Sequence, residues 1–215
     1  MPAFTTLFFD LDGTLYPLGN GLMEAIRIRM GRYMWERMGL PEEEVPALQH
    51  SYYKAYGTTL RGLQIHHQVN SDDYLAYVHA VPLDRYLQPS PELRSLLLSL
   101  PQHRWIFTNG DTNHALRVTS TLGVEDCFEG IIDIRANDYQ CKPEIGAYHS
   151  ALDLAGEPDP HQSVLLDDSP DNLAPARQMG FTTVLVGQTE PDPAATHSIE
   201  NLLDLRQVLP ELWDE

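Results

Sequence analysis

Short apolar runs alternate with stretches of helical periodicity along most of the chain. Runs at 104–108, 131–134, 163–166 and 182–186 have the length of buried strands, and one more ends at Phe9 near the N-terminus. Between the later runs, apolar residues recur every three or four positions, which predicts amphipathic helices. Because strands that alternate with helices form a parallel sheet covered on both faces, the pattern predicts an α/β domain.

The segment 16–88 interrupts that alternation, because helical periodicity fills it and no strand is predicted there. The predicted helices cover 22–38, 41–56, 59–68 and 71–80, with glycines after the first two as stops and Ser71 as the cap of the last. We therefore expect a Rossmann-like α/β core domain formed by residues 1–15 and 89–215. An all-helical domain, residues 16–88, is inserted after the first strand. Residues 199–209 predict a terminal helix.

Two carboxylates stand where the first predicted strand ends. The tract TLFFDLDGTL begins at Thr6, so Asp10 and Asp12 follow the apolar run directly. Side chains alternate along a strand, so both carboxylates project to the same side, and Gly13 allows a sharp turn and a close approach to a ligand. Two carboxylates close together are typical of a site that binds a cation or transfers a proton. A helix N-cap beside a turn is the alternative interpretation.

Two further predicted strands also end in reactive side chains. Thr108 and Asn109 follow the second strand, and Asp167 and Asp168 follow a later one. In open α/β sheets, ligands bind at the carboxyl ends of the strands, where the strand order reverses. Taken singly, Thr108 could be a strand cap and the acidic pair a helix N-terminus.

Lys142 stands at a predicted helix start, where Pro143 favours an extended conformation for it. A solvated surface lysine is the alternative interpretation for Lys142. The order of these features along the chain, each at the boundary of an element, favours one common site.

Composition narrows the classes of partner. The 215 residues suit one domain, or one domain with a modest insertion, and 42% of them are hydrophobic, which is enough for a packed core. The formal net charge of -17 argues against nucleic acid and anionic membranes as partners. No apolar stretch approaches a membrane span and no secretory signal is visible, so we expect a cytoplasmic protein. Two cysteines predict free thiols, and the nine histidines lack zinc spacing.

The order Asp10-x-Asp12-x-Thr14, Thr108, Lys142 and the acidic pair resembles the four motifs of the haloacid dehalogenase-like hydrolase superfamily. In phosphatases of that superfamily the first aspartate is the nucleophile and the second the acid/base. The dehalogenases lack a carboxylate at the second position, so Asp12 favours a phosphatase. The resemblance implies an aspartyl-phosphate on Asp10 and proton transfer by Asp12.

The same resemblance implies Mg²⁺ as cofactor, since Mg²⁺ takes oxygen ligands. Asp10 and Asp168 are the expected carboxylate ligands, with the Asp12 carbonyl and Asp167 in support. Asn172, one helical turn further on, is expected to orient the Asp168 carboxylate. The phosphoryl oxygens are expected to be bound by a separate set of donors: Gly13, Thr108, Asn109 and Lys142.

Further segments are similar to the pyrimidine 5′-nucleotidase branch of these hydrolases. They are DLDGTLYP from Asp10, SYYKAYGTTLRGL from Ser51, FTNGD from Phe107, CKP from Cys141 and VLPELW from Val208. The resemblance implies a helical cap over the site and hydrolysis of nucleoside monophosphates such as UMP or CMP. It leaves the oligomeric state open. A sugar phosphatase or phosphomutase, or another small-metabolite phosphatase, on the same core is the alternative. A non-catalytic regulatory protein of the same fold is more remote.

The inserted helices carry the candidates for contact with the leaving group. An aromatic face can stack on a base and a guanidinium offers planar donors. The alternatives are helix packing for the tyrosines and an ion pair for the arginine. The candidate substrate residues are Tyr52, Tyr53, Arg61 and His67.

Overall fold

A computed structural model describes residues 4–214 and divides them into two compact units. The first comprises the described residues up to Gly19 together with those from Leu87 onward, and the second is Asn20–Tyr86. Residues 16–19, 87 and 88 of the predicted helical domain thus group with the α/β unit and not with the helices. Residues 1–3 and 215 of the predicted core domain lie outside the described part.

The α/β unit contains a six-stranded parallel sheet, which confirms the predicted fold class. The strand order is β3-β2-β1-β4-β5-β6, with β1 in the middle beside β2 and β4. The chain fills one side of β1 first and then the other, so the strand order reverses at β1, where ligands bind in such sheets. The strands are β1 Thr6–Phe9, β2 His103–Phe107, β3 Gly130–Ile132, β4 Ser163–Asp167, β5 Thr182–Val186 and β6 His197–Ile199.

Helices of the α/β unit cover this sheet. Phe8 and Phe107 pack edge to face at 6.4 Å between ring centroids, and Tyr148 packs on Phe107 at 5.5 Å. These rings belong to one buried apolar cluster that includes Leu165 and Phe181. The helices are α5 Pro91–Ser99, α6 Thr112–Leu122, α7 Ile145–Leu154, α8 Pro170–Met179 and α9 Leu205–Val208. The core therefore fixes the strand ends that carry the candidate residues.

The second unit is helical throughout. Its helices are α1 Leu22–Arg32, α2 Val45–Tyr56, α3 Thr59–His67 and α4 Ser71–Val78. α1 continues as a π-helical turn at Tyr33–Arg37, and Gly57 ends α2 at a φ of 77°. The cap of α4 is Asn70, whose side chain accepts from the Asp73 N–H, and not Ser71. The amide oxygen of Asn70 reaches the first turn because Ser71 is already helical.

Two features of the C-terminal region differ from the sequence prediction. β6 pairs with β5 at the sheet edge, although its three residues include only one apolar side chain. The terminal helix is split into short turns around α9. Among residues 4–214, none of the helices combines the length and apolar character that crossing a bilayer requires.

Candidate active site

Asp10 lies directly after β1, at the point where the strand order reverses. Its N–H donates to the Leu166 carbonyl at 2.8 Å, so the β1–β4 ladder fixes its backbone, and the residue is 7% exposed. Gly13 turns the chain with a φ of 96°, and a Cβ there would lie 2.6 Å from Asp168 Oδ2. The first motif and the acidic pair are therefore packed together, as the sequence predicts.

The Lys142 ammonium is completely buried and bridges two of the carboxylates. Its Nζ donates to Asp10 Oδ1 at 2.8 Å, to Asp167 Oδ2 at 2.6 Å and to the Phe107 carbonyl at 2.7 Å. Burial alone would lower the pKa of Lys142, but Asp10 and Asp167 outweigh it and raise that pKa. The interpretation of Lys142 as a solvated surface lysine is wrong, because the side chain is fully buried and contacts two carboxyl groups.

The segment after β2 holds Lys142 in place. The Asn109 side chain donates through Nδ2 to the Lys142 carbonyl at 2.9 Å and accepts the Lys142 N–H at 2.8 Å. This pair of bonds was not expected from sequence, which assigned Asn109 a backbone role only. Thr108 is buried, and its Oγ1 accepts the Gly110 N–H at 2.9 Å. A hydroxyl that accepts in this way can still donate its own hydrogen to a ligand.

The acidic pair at the end of β4 divides into two environments. Asp167 is fully buried, and its oxygens accept from Lys142 Nζ, from the Ser169 N–H and from Asn172 Nδ2. Asp168 is only half-buried. The expectation that Asn172 orients Asp168 is corrected, because its amide contacts Asp167 at 2.9 and 3.2 Å. At this helix start, the Asn172 side chain reaches back to the residue at the strand end.

Three carboxylates of this site suit a divalent cation. Asp10, Asp167 and Asp168 each offer an oxygen within 4.8 Å of the others. Burial raises the pKa of Asp10 well above its ordinary value against the pull of Lys142, and burial together with Asp167 raises the pKa of Asp168 to about 7. One ammonium cannot neutralise three carboxylates, so the donor set fits Mg²⁺, which prefers oxygen ligands.

Asp12 is held by two side chains that sequence reasoning did not select. Oδ1 of Asp12 accepts a short hydrogen bond from the Tyr16 hydroxyl and lies 2.8 Å from Nε2 of His114. Burial and Asp12 raise the pKa of Tyr16. For His114, the carboxylate outweighs burial and also raises the pKa. The signal for Tyr16 was its spacing of four from Asp12, whereas His114 lies 102 positions away.

The candidate substrate residues all lie on α2 and α3 of the helical unit. The Tyr52 ring stacks on His66 at 5.3 Å, and its hydroxyl lies 2.8 Å from His67 Nε2. Packing within the unit thus engages Tyr52 and His67, while Tyr53 is 48% exposed. Arg61 is half-buried, and its side chain makes no hydrogen bond or ion pair to any described residue.

Comparison with known proteins finds one family of hydrolases. A family model described as haloacid dehalogenase-like hydrolase matches residues 4–180. The chain is 30% identical over 200 residues to Phosphate metabolism protein 8 of Saccharomyces cerevisiae. The aligned region covers 86% of this chain and 62% of the yeast protein. The chain therefore spans less than two thirds of this relative.

Solved structures with the same fold include proteins of different activities. For three of them, the superposition covers 96% of this chain and 98% of the other protein. They are a phosphatase from Thermococcus onnurineus (TM-score 0.65, 18% identity), the hydrolase YfnB from Bacillus subtilis bound to magnesium (0.63, 16%) and the L-2-haloacid dehalogenase of Xanthobacter autotrophicus (0.61, 19%). At these identities the likeness establishes the fold alone.

Proposed function

The chain belongs to the haloacid dehalogenase-like hydrolase family, and we propose that within it the protein is a Mg²⁺-dependent phosphatase. It hydrolyses phosphate monoesters through an aspartyl-phosphate on Asp10. Its preferred substrates are pyrimidine nucleoside monophosphates such as UMP and CMP. The observation that carries the reaction type is the buried Lys142 ammonium on Asp10 Oδ1, beside the acidic pair.

The side chains divide the work of phosphoryl transfer. Lys142 holds the Asp10 carboxylate against the sheet and offsets its repulsion of an anionic ester. Asp10 attacks phosphorus, and Asp12 protonates the leaving oxygen and later takes a proton from the attacking water. Thr108 can donate its hydroxyl hydrogen to a phosphoryl oxygen, and the N–H groups of Gly13 and Asn109 add to it.

Dehalogenation is the competing reaction within this family and fold. A halide leaves without a proton, so a dehalogenase has no use for a second carboxylate that carries one. Here Asp12 is present and fixed by two further side chains. The phosphatase reaction accounts for Asp12, and the dehalogenase reaction does not.

Asp10 and Asp168 are the proposed carboxylate ligands of Mg²⁺, supported by the Asp12 carbonyl and by Asp167. When bound, the ion supplies positive charge to the transferring phosphoryl oxygens. Asp168 is better suited than Asp167 to ligate the ion directly, because the oxygens of Asp167 already accept four hydrogen bonds.

The nucleotide preference rests on the resemblance of the inserted helices and on Arg61. Arg61 is half-buried, and its side chain makes no hydrogen bond or ion pair to the described residues. A guanidinium offers planar donors to a base. Tyr53 is exposed and can stack on a base. Tyr52 and His67 are proposed to contribute as the hydrogen-bonded pair that they form.

The test is phosphate release from a panel of about twenty esters, with Mg²⁺ and with EDTA. The panel includes p-nitrophenyl phosphate, UMP, CMP, purine nucleotides, sugar phosphates and a haloacid as the dehalogenase control. We expect Mg²⁺-dependent turnover that is fastest with UMP or CMP. A lead of about tenfold or more over the other esters would indicate specific contacts with the nucleoside.

Each part of the proposal can fail separately in this experiment. A sugar phosphate that leads by more than about tenfold would overturn the nucleotide preference and keep the phosphatase. Full activity in EDTA would overturn the role of Mg²⁺. Absence of turnover on every ester would overturn the phosphatase itself and favour a non-catalytic protein.

A further inference from the structure

We propose that His114 is a positioning residue that, together with Tyr16, holds the acid/base Asp12 in the orientation that proton transfer to the leaving group requires. This inference rests on the proposed phosphatase function. It assigns a role to a histidine that lies on α6, far from the first motif in sequence.

Two side chains contact the same oxygen of Asp12. The Tyr16 hydroxyl and His114 Nε2 both contact Oδ1. A carboxylate oxygen that accepts from a tyrosine hydroxyl also acts as an acceptor toward a neighbouring ring N–H. Contacts from two side chains restrict rotation of the carboxyl group about its side-chain bonds. Gly110 lies near the other oxygen, where a Cβ would be 3.9 Å from Oδ2.

His114 is itself fixed from several directions. The side chain is 0% exposed, and its backbone N–H donates to Asp111 Oδ1 at 3.1 Å. Asp111 is the cap of α6 and accepts from Arg135 Nη1 at 2.9 Å. A fully buried ring on a capped helix start can hold the Asp12 rotamer with the precision that proton transfer requires.

Asp12 acts in both proton transfers of the proposed reaction. As Asp10 bonds to phosphorus and the ester P–O bond breaks, Asp12 gives a proton to the leaving oxygen. In the second step Asp12 takes a proton from water while the water oxygen bonds to phosphorus and the Asp10–phosphorus bond breaks. The contacts of Oδ1 with Tyr16 and His114 keep the carboxyl group in one orientation for both steps.

The leaving group provides the test. An alkoxide needs a proton as it departs, whereas p-nitrophenolate departs without one, so lost orientation of Asp12 affects the two ester classes differently. The experiment measures kcat/KM for p-nitrophenyl phosphate and for the best alkyl phosphate of the ester panel. The proteins are the wild type, His114→Leu, His114→Gln and Tyr16→Phe. Tyr33→Phe is the matched control, since the Tyr33 hydroxyl also donates to a carboxylate, that of Asp73, in the helical unit.

We expect His114→Leu to lower kcat/KM for the alkyl ester about 100-fold, and by at least about tenfold more than for p-nitrophenyl phosphate. His114→Gln, which can still donate to Oδ1, recovers most of that difference. Tyr16→Phe shows the same selectivity at about tenfold, and it keeps the test valid if the buried leucine prevents folding. Tyr33→Phe leaves the ratio of the two esters at the wild-type value.

Equal losses for the two esters, or no loss in either Tyr16→Phe or His114→Leu, would overturn the positioning role while wild-type turnover upholds the phosphatase. A wild type that hydrolyses neither ester would overturn the proposed function and this inference with it.

Discussion

The two units of this protein treat charge in opposite ways. The helical unit has eight acidic and seven basic residues, whereas the rest of the sequence has 23 acidic and seven basic ones. Within Asn20–Tyr86, all of it described, no carboxylate, lysine or arginine is buried. The α/β unit buries Lys142 together with Asp10, Asp111, Asp133 and Asp167.

The difference shows that the α/β unit loses folding free energy at the site of its proposed chemistry and that the helical unit does not. Taking an ion out of water costs several kcal/mol, and a buried pair rarely recovers more than that. The helical unit avoids the cost by placing its ion pairs at the surface, for example Arg37 with Asp73. The α/β unit accepts it at one edge of its sheet, next to the strand-order reversal. A cluster of buried charges therefore marks the site more reliably than any single motif.

The strongest test of this contrast is Asp10→Asn, which keeps the side-chain shape and removes the nucleophile. We expect kcat to fall at least about 10⁴-fold on the best phosphate ester, because the covalent step has no substitute. Asp153→Asn, the same change at an exposed position of α7, is the control and should retain wild-type turnover. Near-wild-type activity of pure Asp10→Asn would disprove the aspartyl-phosphate.

The second test concerns the buried ammonium. Lys142→Met leaves Asp10 and Asp167 without their shared partner, so we expect the free energy of unfolding to fall by about 3–5 kcal/mol. Urea unfolding followed by circular dichroism measures it, and kcat should fall about 100-fold or more. Lys54→Met, at an exposed position of the helical unit, should change the unfolding free energy by less than about 0.5 kcal/mol. Similar losses for both variants would remove the contrast between the units.

The third test asks whether the helical unit selects the substrate. Arg61→Ala should lower kcat/KM for UMP about tenfold more than for p-nitrophenyl phosphate, because only the nucleotide offers groups for a guanidinium beyond the phosphate. Arg85→Ala, an exposed arginine of the same unit, is the control. If the two variants behave alike, Arg61 has no part in recognition.

The smallest expected effect is on the pH dependence of stability at Asp168. Burial and Asp167 raise the pKa of Asp168 to about 7. Between the ordinary carboxyl range and that value, the folded protein holds a proton that the unfolded chain has lost, so this group's contribution to stability falls as pH rises. In EDTA at pH 8, Asp168→Asn should therefore be about 1 kcal/mol more stable than wild type, and the gain should shrink at pH 5.

The same pair of proteins reports on the cation. Mg²⁺ should stabilise the wild type at pH 8 and should stabilise Asp168→Asn much less, because a ligand that binds only the folded state shifts unfolding. The measurement is urea unfolding with and without Mg²⁺. If Asp168→Asn is less stable than wild type in EDTA, burial and Asp167 do not raise the pKa of Asp168 as described above.

Local patterns were enough to predict most of the secondary structure and the fold class. The apolar run before Asp10 gave β1, and the glycine after Tyr56 gave the end of α2, because burial and backbone conformation are properties of short segments. β6 was missed, since His197–Ile199 becomes a strand through its pairing with β5 and has little apolar pattern of its own. The cap of α4 was predicted at Ser71 but is Asn70, one residue earlier, because only the folded backbone shows which residue is the first helical one.

The sequence by itself determined which residue types stand at the strand ends, Asp10, Asp12, Thr108 and the acidic pair, and hence the family. Only the tertiary structure decided how they are paired. Lys142 with Asp10, Asn172 with Asp167 and His114 with Asp12 are contacts between side chains of different elements. Periodicity reports which face of an element is buried, but a hydrogen bond depends on the distance between atoms that the folded chain brings together.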